Sequence, residues 1–320
     1  MSKKILITGG AGFIGSNFIR QLLNKYSDYS VVNLDKLTYA GRKENLKDLR
    51  DHQRYKFIQG DIGDLNTVNK AISGCDLVIN FAAESHVDRS IVDASEFINT
   101  NVYGTYTLLA AAKEHQIPLF CQISTDEVYG SRVEGYFKEQ DLLTPSSPYS
   151  ASKAAADHLA HSYYTTYQLP VIIIRPTNNF GPYQFPEKII PLFVTNAVSG
   201  EKLPVYGDGQ NVRDWLYVLD NCAAIDFIIH HGRAGEIYNV AGNNQLNNMD
   251  LTRLILKFMG RGEDLIKFVA DRPGHDRRYA LDNSKLTKLG WRPKHNFEQA
   301  LKETIDWYRN NEQWWQPLKK

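Results

Sequence analysis

Cysteine is scarce in this chain of 320 residues: Cys75, Cys121 and Cys222 lie far apart and form no CxxC pair. An odd number without metal-ligand spacing argues against a disulfide framework and predicts free, buried thiols in a reducing compartment. Long hydrophobic runs are also missing, and a run such as Val171–Ile174 is far too short to cross a bilayer. The net charge of +1 gives no indication of a nucleic-acid-binding surface. We therefore expect neither a membrane nor a nucleic acid as a partner.

The composition, with 42 % apolar and 23 % charged residues, is ordinary for a soluble globular enzyme. In the first half, short apolar runs alternate with helical patterns. The runs predict strands at Lys4–Thr8, Ser30–Leu34, Tyr55–Gln59, Asp76–Phe81, Leu119–Ser124 and Val171–Arg175. The patterns between them predict helices at Phe13–Lys25, Leu65–Ser73, Ala94–His115 and Ser150–Tyr167. This alternation predicts an α/β fold with a Rossmann-type, doubly wound parallel sheet.

After Arg175 the pattern becomes looser, which predicts a smaller, mixed α/β domain. We expect a dinucleotide-binding domain in residues 1–175 and a substrate-binding domain in residues 176–320. The two are expected to interleave, because a strand at Glu236–Val240 could return to the first sheet. Since the first predicted strand begins at Lys3 or Lys4, no room is left for a signal peptide, and we expect a cytoplasmic protein. Further predicted elements are Val212–Val218, Leu251–Met259 and Phe297–Arg309.

A glycine pattern, Gly9-x-x-Gly12-x-x-Gly15, stands between the first predicted strand and the first predicted helix. Glycine lets the backbone turn tightly and approach a pyrophosphate, and the helix N-terminus attracts the phosphates. This strand–turn–helix context is the one that a dinucleotide-binding motif requires.

Asp35 ends the second predicted strand. A carboxylate at this place accepts hydrogen bonds from the adenosine ribose and repels a 2′-phosphate, which favours NAD over NADP. Lys36 and Arg42 nearby count against this preference. Asp61 and Ile62 follow the third strand, where an adenine would lie.

Tyr149 and Lys153 are four residues apart at the start of a predicted helix and therefore share one face. A lysine ammonium lowers the pKa of a nearby phenol, so the tyrosine could take a hydroxyl proton while hydride leaves the same carbon. A surface tyrosine would be the default interpretation of such a pair. Its position after the fifth strand, at the ligand-binding edge of the sheet, favours catalysis instead.

The fifth predicted strand ends in Ser124-Thr125-Asp126-Glu127. Two adjacent acids at a buried strand end are costly unless they are used or paired. Alcohol oxidation alone needs a hydroxyl here and no acid. The pair therefore indicates further proton transfers, in which one carboxyl protonates a leaving group and one carboxylate removes a carbon-bound proton. Capping of the next turn is the structural alternative.

With these motifs the sequence resembles the extended short-chain dehydrogenases/reductases and, more narrowly, the nucleotide-sugar 4,6-dehydratases. The resemblance spans nearly the whole chain. It rests on Ile7–Gly15, Leu34–Gly41, Phe81–Ser90, Ser124–Gly130, Tyr149–Lys153, Asn178–Pro182, Pro186–Pro191, Arg213–Val218 and Arg272–Tyr279. Thr177 and Phe180 stand where Ser and Tyr are expected from the resemblance. The segment from Tyr129 to Tyr149 is shorter than in some members of the family.

The resemblance implies an internal redox cycle on a nucleotide sugar, dTDP-glucose, with NAD retained. Tyr149, aided by Lys153 and Thr125, would take the C4 hydroxyl proton during hydride transfer to NAD. Glu127 would then remove the C5 proton and Asp126 would protonate the departing C6 hydroxyl. The hydride would return to C6, so that no net oxidation occurs.

The resemblance also implies binding residues. Those around the dinucleotide are Gly9, Gly12, Phe13, Ile14, Gly15, Asp35, Lys36, Thr38, Asp61, Ile62, Phe81, Ala82, Ala83, Ser85, Thr100, Tyr149, Lys153 and Asn179. Those around the sugar nucleotide are Ser85, Thr125, Asn178, Lys188, Leu192, Pro204, Tyr206, Arg213, Asn248, Arg272, His275 and Tyr279. Arginine forks suit a diphosphate, and Tyr206 suits a base.

Other activities remain open from the sequence. A nucleotide-sugar 4-epimerase, such as one acting on UDP-sugars, would share the fold, NAD, Tyr149 and Lys153 but would have no use for Asp126 and Glu127. A decarboxylase, a dehydratase for another base and a non-catalytic NAD sensor are further alternatives. His86 and Asp88 lack a third ligand at suitable spacing, so we expect no metal. From the resemblance we expect a homodimer formed through the helices Ala94–His115 and Ser150–Tyr167.

Overall fold

The structure is a computed structural model that describes residues 3–319. Along this range the strands are β1 Lys3–Thr8, β2 Tyr29–Asp35, β3 Tyr55–Gln59, β4 Leu77–Asn80, β5 Phe120–Ile123, β6 Val171–Pro176, β7 Asn178–Phe180, β8 Leu203–Tyr206, β9 Val212–Tyr217, β10 Ile237–Val240, β11 Gln245–Asn247 and β12 Ile266–Val269. Seven of these described strands form a parallel sheet in the order β10-β6-β5-β4-β1-β2-β3. The chain leaves β1 in one direction and resumes at β4 in the other, so a crevice forms at the carboxyl ends of β1 and β4. The predicted doubly wound, Rossmann-type α/β fold is confirmed.

Helices cover the sheet and the rest of the chain. They are α1 Phe13–Lys25, α2 Leu65–Ile72, α3 Val87–Val92, α4 Ser95–Phe97, α5 Thr105–Glu114, α6 Pro148–Tyr167, α7 Ile189–Ser199, α8 Val218–His231, α9 Asn248–Met259, α10 Ser284–Leu289, α11 Phe297–Asn310 and α12 Glu312–Trp315. The predicted bounds of α1 are confirmed at both ends. The helices α7 and α8 were not predicted, because apolar residues on most faces hide the helical period of a buried helix.

Both faces of the sheet are buried, as the continuous apolar strands predict. Successive side chains of β1 point to opposite faces, so Ile5 and Ile7 join one hydrophobic cluster and Leu6 joins another. The first cluster includes residues of α1 and α8, and the second includes residues of α2, α5 and α6. The sheet therefore holds the carboxyl ends of its strands, where the crevice lies, on a rigid two-sided core.

The long helix predicted at Ala94–His115 is present as one continuous helical segment, residues 95–114, but the middle of this segment is π-helical and not α-helical. The segment comprises α4, a π-helical stretch at Ile98–Gly104, and α5. Gly104 lies close to the side chain of Ile62, since a Cβ there would come within 2.6 Å of it. π-helical stretches often occur at functional sites, and this one contains Thr100, which lines the crevice.

The second half of the chain builds two small sheets, β11-β9-β7 and β12-β8. The strand β10 instead pairs with β6 at the edge of the main sheet, with Ile237 opposite Ile173. The division into domains at residue 175 stays a prediction. No helix in residues 3–319 is both long enough and apolar enough to cross a membrane. The three cysteines are free and buried, as predicted.

Candidate active site

A cleft runs along the carboxyl ends of the central strands, and the predicted cofactor residues meet there. The structure brings together Gly9, Gly12, Phe13, Ile14, Gly15, Asp35, Lys36, Thr38, Asp61, Ile62, Phe81, Ala82, Ala83, Ser85, Thr100, Tyr149 and Lys153 in its wall. Asn179 is outside this wall; its side-chain amide donates to the carbonyl of Thr177 (2.9 Å), and its Oδ1 is buried without a hydrogen bond. The cofactor-binding roles of all these residues stay a prediction.

The glycine loop is shaped by close backbone approaches. Gly9 has φ +67°, and a Cβ on it would lie 2.5 Å from the backbone nitrogen of Ala82. A Cβ on Gly15 would lie 2.6 Å from the carbonyl oxygen of Gly9. Gly12 precedes α1 and offers no side-chain cap, so the first N–H groups of that helix are available to a ligand. The loop therefore fits the pyrophosphate of a dinucleotide.

Asp35 ties the end of β2 to the glycine loop. Its Oδ2 accepts from the backbone N–H of Ala11 and its Oδ1 from that of Leu37, each at 2.8 Å. Burial raises the pKa of Asp35, and these two N–H groups oppose the rise. A carboxylate has about four acceptor positions, so capacity remains for ribose hydroxyls.

The two cations near Asp35 are both engaged by carboxylates. The Lys36 ammonium lies 2.8 Å from Asp61, and the Arg42 guanidinium lies 3.3 Å from Glu44. Each cation is therefore already partly neutralised, which weakens its attraction for a 2′-phosphate. This geometry reduces the objection that these residues raised against NAD.

Tyr149 and Lys153 lie in the first turns of α6, whose N-cap is Ser147. The ammonium of Lys153 donates to the carbonyl oxygen of Ile123 at 2.6 Å, and burial lowers its pKa to about 8. Burial raises the pKa of Tyr149, while a hydrogen bond with Thr125 opposes the rise. In this structure the ammonium is held at the strand carbonyl and burial is the largest cause of the raised tyrosine pKa, so the help that Lys153 gives Tyr149 stays a prediction.

Asp126 and Glu127 begin a 3₁₀ turn that follows β5 after two residues, Ser124 and Thr125. The Thr125 hydroxyl donates to Asp126 Oδ1 and accepts from the backbone N–H of Glu127, both at 3.2 Å. Asp126 is 2 % exposed and its Oδ2 has no hydrogen bond. Burial, followed by the charge of Glu127, raises the pKa of Asp126 well above its usual range. Asp126 is thus suited to hold a proton that it can donate.

Side chains from three distant segments meet at Asp88. Its carboxylate accepts from the Tyr206 hydroxyl at 3.0 Å and from Arg272 Nη1 at 3.2 Å. The ring of His275 lies edge-on to that of Tyr206, with centroids 6.2 Å apart. Arg272 Nε is buried without a hydrogen bond, which leaves a donor for a ligand. These residues form an arginine–aromatic rim.

A second arginine stacks on a tyrosine beside this rim. The guanidinium of Arg213 lies 4.2 Å from the ring centre of Tyr279 and donates to the carbonyl of Asp276 at 3.0 Å. The Tyr279 hydroxyl donates to the Asp276 carboxylate at 2.7 Å. Lys188 donates to the carbonyl of Ser85 at 2.7 Å, and burial lowers its pKa. Three cations therefore lie on the substrate side of the predicted site.

The remaining predicted substrate residues are spread over several elements. Asn178 begins β7 with its Oδ1 buried and without a hydrogen bond, Leu192 lies in α7, Pro204 lies in β8, and Asn248 begins α9. Sequence reasoning missed other parts of the cleft wall, namely Leu34, Ala40, Gly41, Gly60, Glu84, Ile123, Ser124, Gln184, Phe185 and Glu187. Some lie next to predicted motifs, which is the signal that could have found them.

No group of three or more His, Cys, Asp and Glu side chains within residues 3–319 is arranged to hold a metal ion. Asp88 instead belongs to the arginine–aromatic rim. The His86 ring accepts a hydrogen bond from the backbone N–H of Arg89 and lies 3.7 Å from the Glu187 carboxylate. Burial lowers the pKa of His86 to about 4, so this imidazole is neutral near pH 7.

Comparison with known proteins identifies the family. The family model described as GDP-mannose 4,6 dehydratase matches residues 6–304. A low-salt glycan biosynthesis protein of Haloferax volcanii, Agl12, is 53 % identical, with 97 % of this chain and 99 % of that protein covered. A dTDP-glucose 4,6-dehydratase of Streptomyces niveus is 50 % identical, with 99 % and 96 % covered. The crystal structure of the dTDP-glucose 4,6-dehydratase DesIV from Streptomyces venezuelae, with NAD and TYD bound, has a TM-score of 0.97 at 49 % identity and covers 99 % of this chain and 100 % of that one. The chain belongs to the GDP-mannose 4,6 dehydratase family.

Proposed function

We propose that the protein dehydrates dTDP-glucose to dTDP-4-keto-6-deoxyglucose with a retained NAD. The observation that carries this proposal is the pair Asp126 and Glu127, which lies at the end of β5 beside Tyr149 and Lys153. An epimerase needs the tyrosine and lysine but neither acid. Full-length relatives that are named dTDP-glucose 4,6-dehydratases support the same assignment.

NAD fits the cleft, and when bound it supplies the acceptor and donor for one hydride. The glycine loop from Gly9 to Gly15 would hold its pyrophosphate, and Asp35 its adenosine ribose. Lys153, which lines the same cleft, would hold the nicotinamide ribose. Because the hydride that leaves C4 returns at C6, the cofactor ends each cycle as it began and has no need to leave.

Proton transfers at the sugar would be performed by four side chains. Tyr149, with the Thr125 hydroxyl beside it, would take the proton of the C4 hydroxyl as C4 becomes a ketone. The ketone makes the C5 proton acidic, and Glu127 would remove it. Asp126, whose pKa burial raises, would give its proton to the departing C6 oxygen, so that water leaves.

The arginine–aromatic rim and the cations beside it would bind the diphosphate of the substrate. Arg272 has a buried donor without a hydrogen bond, and Arg213 and Lys188 add positive charge nearby. Tyr206 and His275 present ring surfaces that suit a base. Thymine is the base that we assign, on the names of the relatives.

Product identity with a panel of glucose nucleotides tests this function. We expect dTDP-glucose to give a 4-keto-6-deoxy product, seen as an alkali-induced absorbance, at a higher kcat/KM than UDP-, GDP- or ADP-glucose. A galactose product would instead support a 4-epimerase. No product from any hexose nucleotide would contradict the dehydratase assignment, and preference for another base would correct only the thymine.

We also propose that the protein is a cytoplasmic homodimer. On the helical segment 98–106 and at the end of α6, large apolar side chains are exposed: Ile98 is 50 %, Tyr103 56 %, Tyr106 46 % and Tyr167 51 % exposed. A patch of this kind is typical of an interface between subunits. Light scattering of the wild type and of Tyr103→Lys tests the dimer, and a monomeric wild type would contradict it. Three free thiols favour a reducing compartment, which fractionation would test.

A further inference from the structure

Two serine hydroxyls at the start of α6 are connected to Glu127 by successive hydrogen bonds. The Oγ of Ser150 is 3.3 Å from Glu127 Oε2, and the Oγ of Ser147 is 2.7 Å from that of Ser150. The Ser147 oxygen also accepts from the backbone N–H of Ser150 at 3.1 Å, as the N-cap of the helix. The helix start therefore connects an N-cap hydroxyl to a carboxylate of the proposed site.

The direction of these hydrogen bonds follows from the number of protons available. An ionised carboxylate can only accept, so the Ser150 hydroxyl donates its one proton to Glu127. The Ser147 hydroxyl must then donate to the Ser150 oxygen. When Glu127 has taken a proton, the direction of both hydrogen bonds can reverse. The carboxyl then donates to Ser150, and Ser150 donates to Ser147.

The hydroxyl pair leads from the buried site toward the surface. Ser150 is completely buried, whereas Ser147 is 8 % exposed and the preceding Ser146 is exposed. Glu127 itself is only half-buried. A sugar bound over Glu127 would cover its exposed part, and the two serine hydroxyls would then offer the carboxyl a separate path to solvent.

We propose that Ser150 and Ser147 form a proton relay that joins Glu127 to solvent during the elimination; this inference rests on the proposed function. After Glu127 has taken the C5 proton, the carboxyl passes a proton to Ser150 as Ser150 passes its own to Ser147 and Ser147 releases one to water. The reverse sequence returns a solvent proton to Glu127 and from there to C5. Each hydroxyl ends with one proton, and no electrons are exchanged with any other group.

Turnover of dTDP-glucose in D₂O tests the relay through the hydrogen isotope at C5 of the product, measured by NMR. In the wild type we expect deuterium at C5. In Ser150→Ala we expect the share of product that retains the substrate's own hydrogen to rise several-fold. We also expect kcat to fall about tenfold with little change in KM, because a hydrogen bond to a charged group is lost.

Two further variants separate a relay from a structural role. Ser147→Asn keeps an N-cap acceptor but has no hydroxyl, so it should retain hydrogen at C5 as Ser150→Ala does, with little change in Tm. Ser152→Ala is the matched control: its hydroxyl is equally buried in α6 but contacts the Tyr149 carbonyl and Asn101 instead of Glu127. We expect it to incorporate deuterium as the wild type does.

The outcomes distinguish the relay from the proposed function. Formation of the 6-deoxy product with the same C5 deuterium content in the wild type, Ser150→Ala and Ser147→Asn would overturn the relay and leave the dehydratase assignment intact. Retention of hydrogen by the wild type would do the same. Absence of any 6-deoxy product from the wild type would overturn both.

Discussion

Replacement of Gly15 by alanine should weaken NAD binding by a steric effect on the glycine loop. A Cβ at this position would lie 2.6 Å from the carbonyl oxygen of Gly9 and 2.7 Å from the Cα of Gly10. Both are backbone atoms, so no side chain can rotate away. The loop and the first turn of α1 must separate, and this moves the N–H groups that would face the pyrophosphate.

The size of the effect follows from the depth of the overlap. Forcing an extra methyl into a filled space costs about 1–3 kcal/mol, and each 1.4 kcal/mol in binding is a factor of ten. If the strain is relieved by moving the loop, the NAD affinity of Gly15→Ala should fall by roughly 10- to 100-fold. Gly12→Ala should lose less, because its Cβ would have a single close contact, at 3.2 Å from the carbonyl of Gly9.

Calorimetric titration of NAD into cofactor-free protein would measure this loss, together with the cofactor content of freshly purified protein. Gly63→Ala serves as the control, since its added methyl would have no contact closer than 3.4 Å. We expect it to bind NAD as the wild type does. If Gly15→Ala binds NAD as tightly as Gly63→Ala, the close approach of the backbone is not what requires glycine in this loop.

Three further predictions concern acids and a buried ion pair. Glu127→Gln should abolish dehydration yet still form NADH on bound substrate, seen at 340 nm, because C4 oxidation does not need this acid; full turnover would refute its role. The raised pKa of Asp126 means that the wild type loses stability as pH rises above the ordinary carboxyl range, so the stability of Asp126→Asn relative to the wild type should grow with pH in urea titrations; a constant difference would contradict this. Arg175→Met leaves the Asp157 carboxylate, 2.9 Å away in the wild type, without its buried partner, and should cost about 3–5 kcal/mol of unfolding free energy; a cost below about 1 kcal/mol would show that the pair is not needed.

Most of the main sheet and its ligand edge could be predicted because their signals are local. A strand that runs into a glycine turn and a helix needs only neighbouring residues, which is why the bounds of α1 agree at both ends. The acids after β5 were predictable for the same reason, since their cost at a buried strand end follows from the residues beside them. The helices α7 and α8 could not be predicted in this way, because burial on many sides removes the polar face that marks a period.

The position of the Lys153 ammonium is a case in which sequence spacing was insufficient. Four residues of separation on a helix bring Lys153 to the same face, but its ammonium can turn toward any acceptor within reach. In the structure it donates to the Ile123 carbonyl, and burial decides the pKa of the tyrosine. A side chain with four rotatable bonds is positioned by its tertiary surroundings and not by its place in the sequence.

The sequence by itself determined that the chain forms a doubly wound sheet with a dinucleotide loop, and that a tyrosine, a lysine and two acids follow its strands. These features depend on periodicity and on motifs that are continuous in the chain. Only the tertiary structure decided that Asp88, Tyr206 and Arg272 share one rim, that the cations Lys36 and Arg42 are already paired, and that serines are connected to Glu127 by hydrogen bonds. The physical reason is that hydrogen bonds and charges act over a few ångströms in space, whatever the distance along the chain.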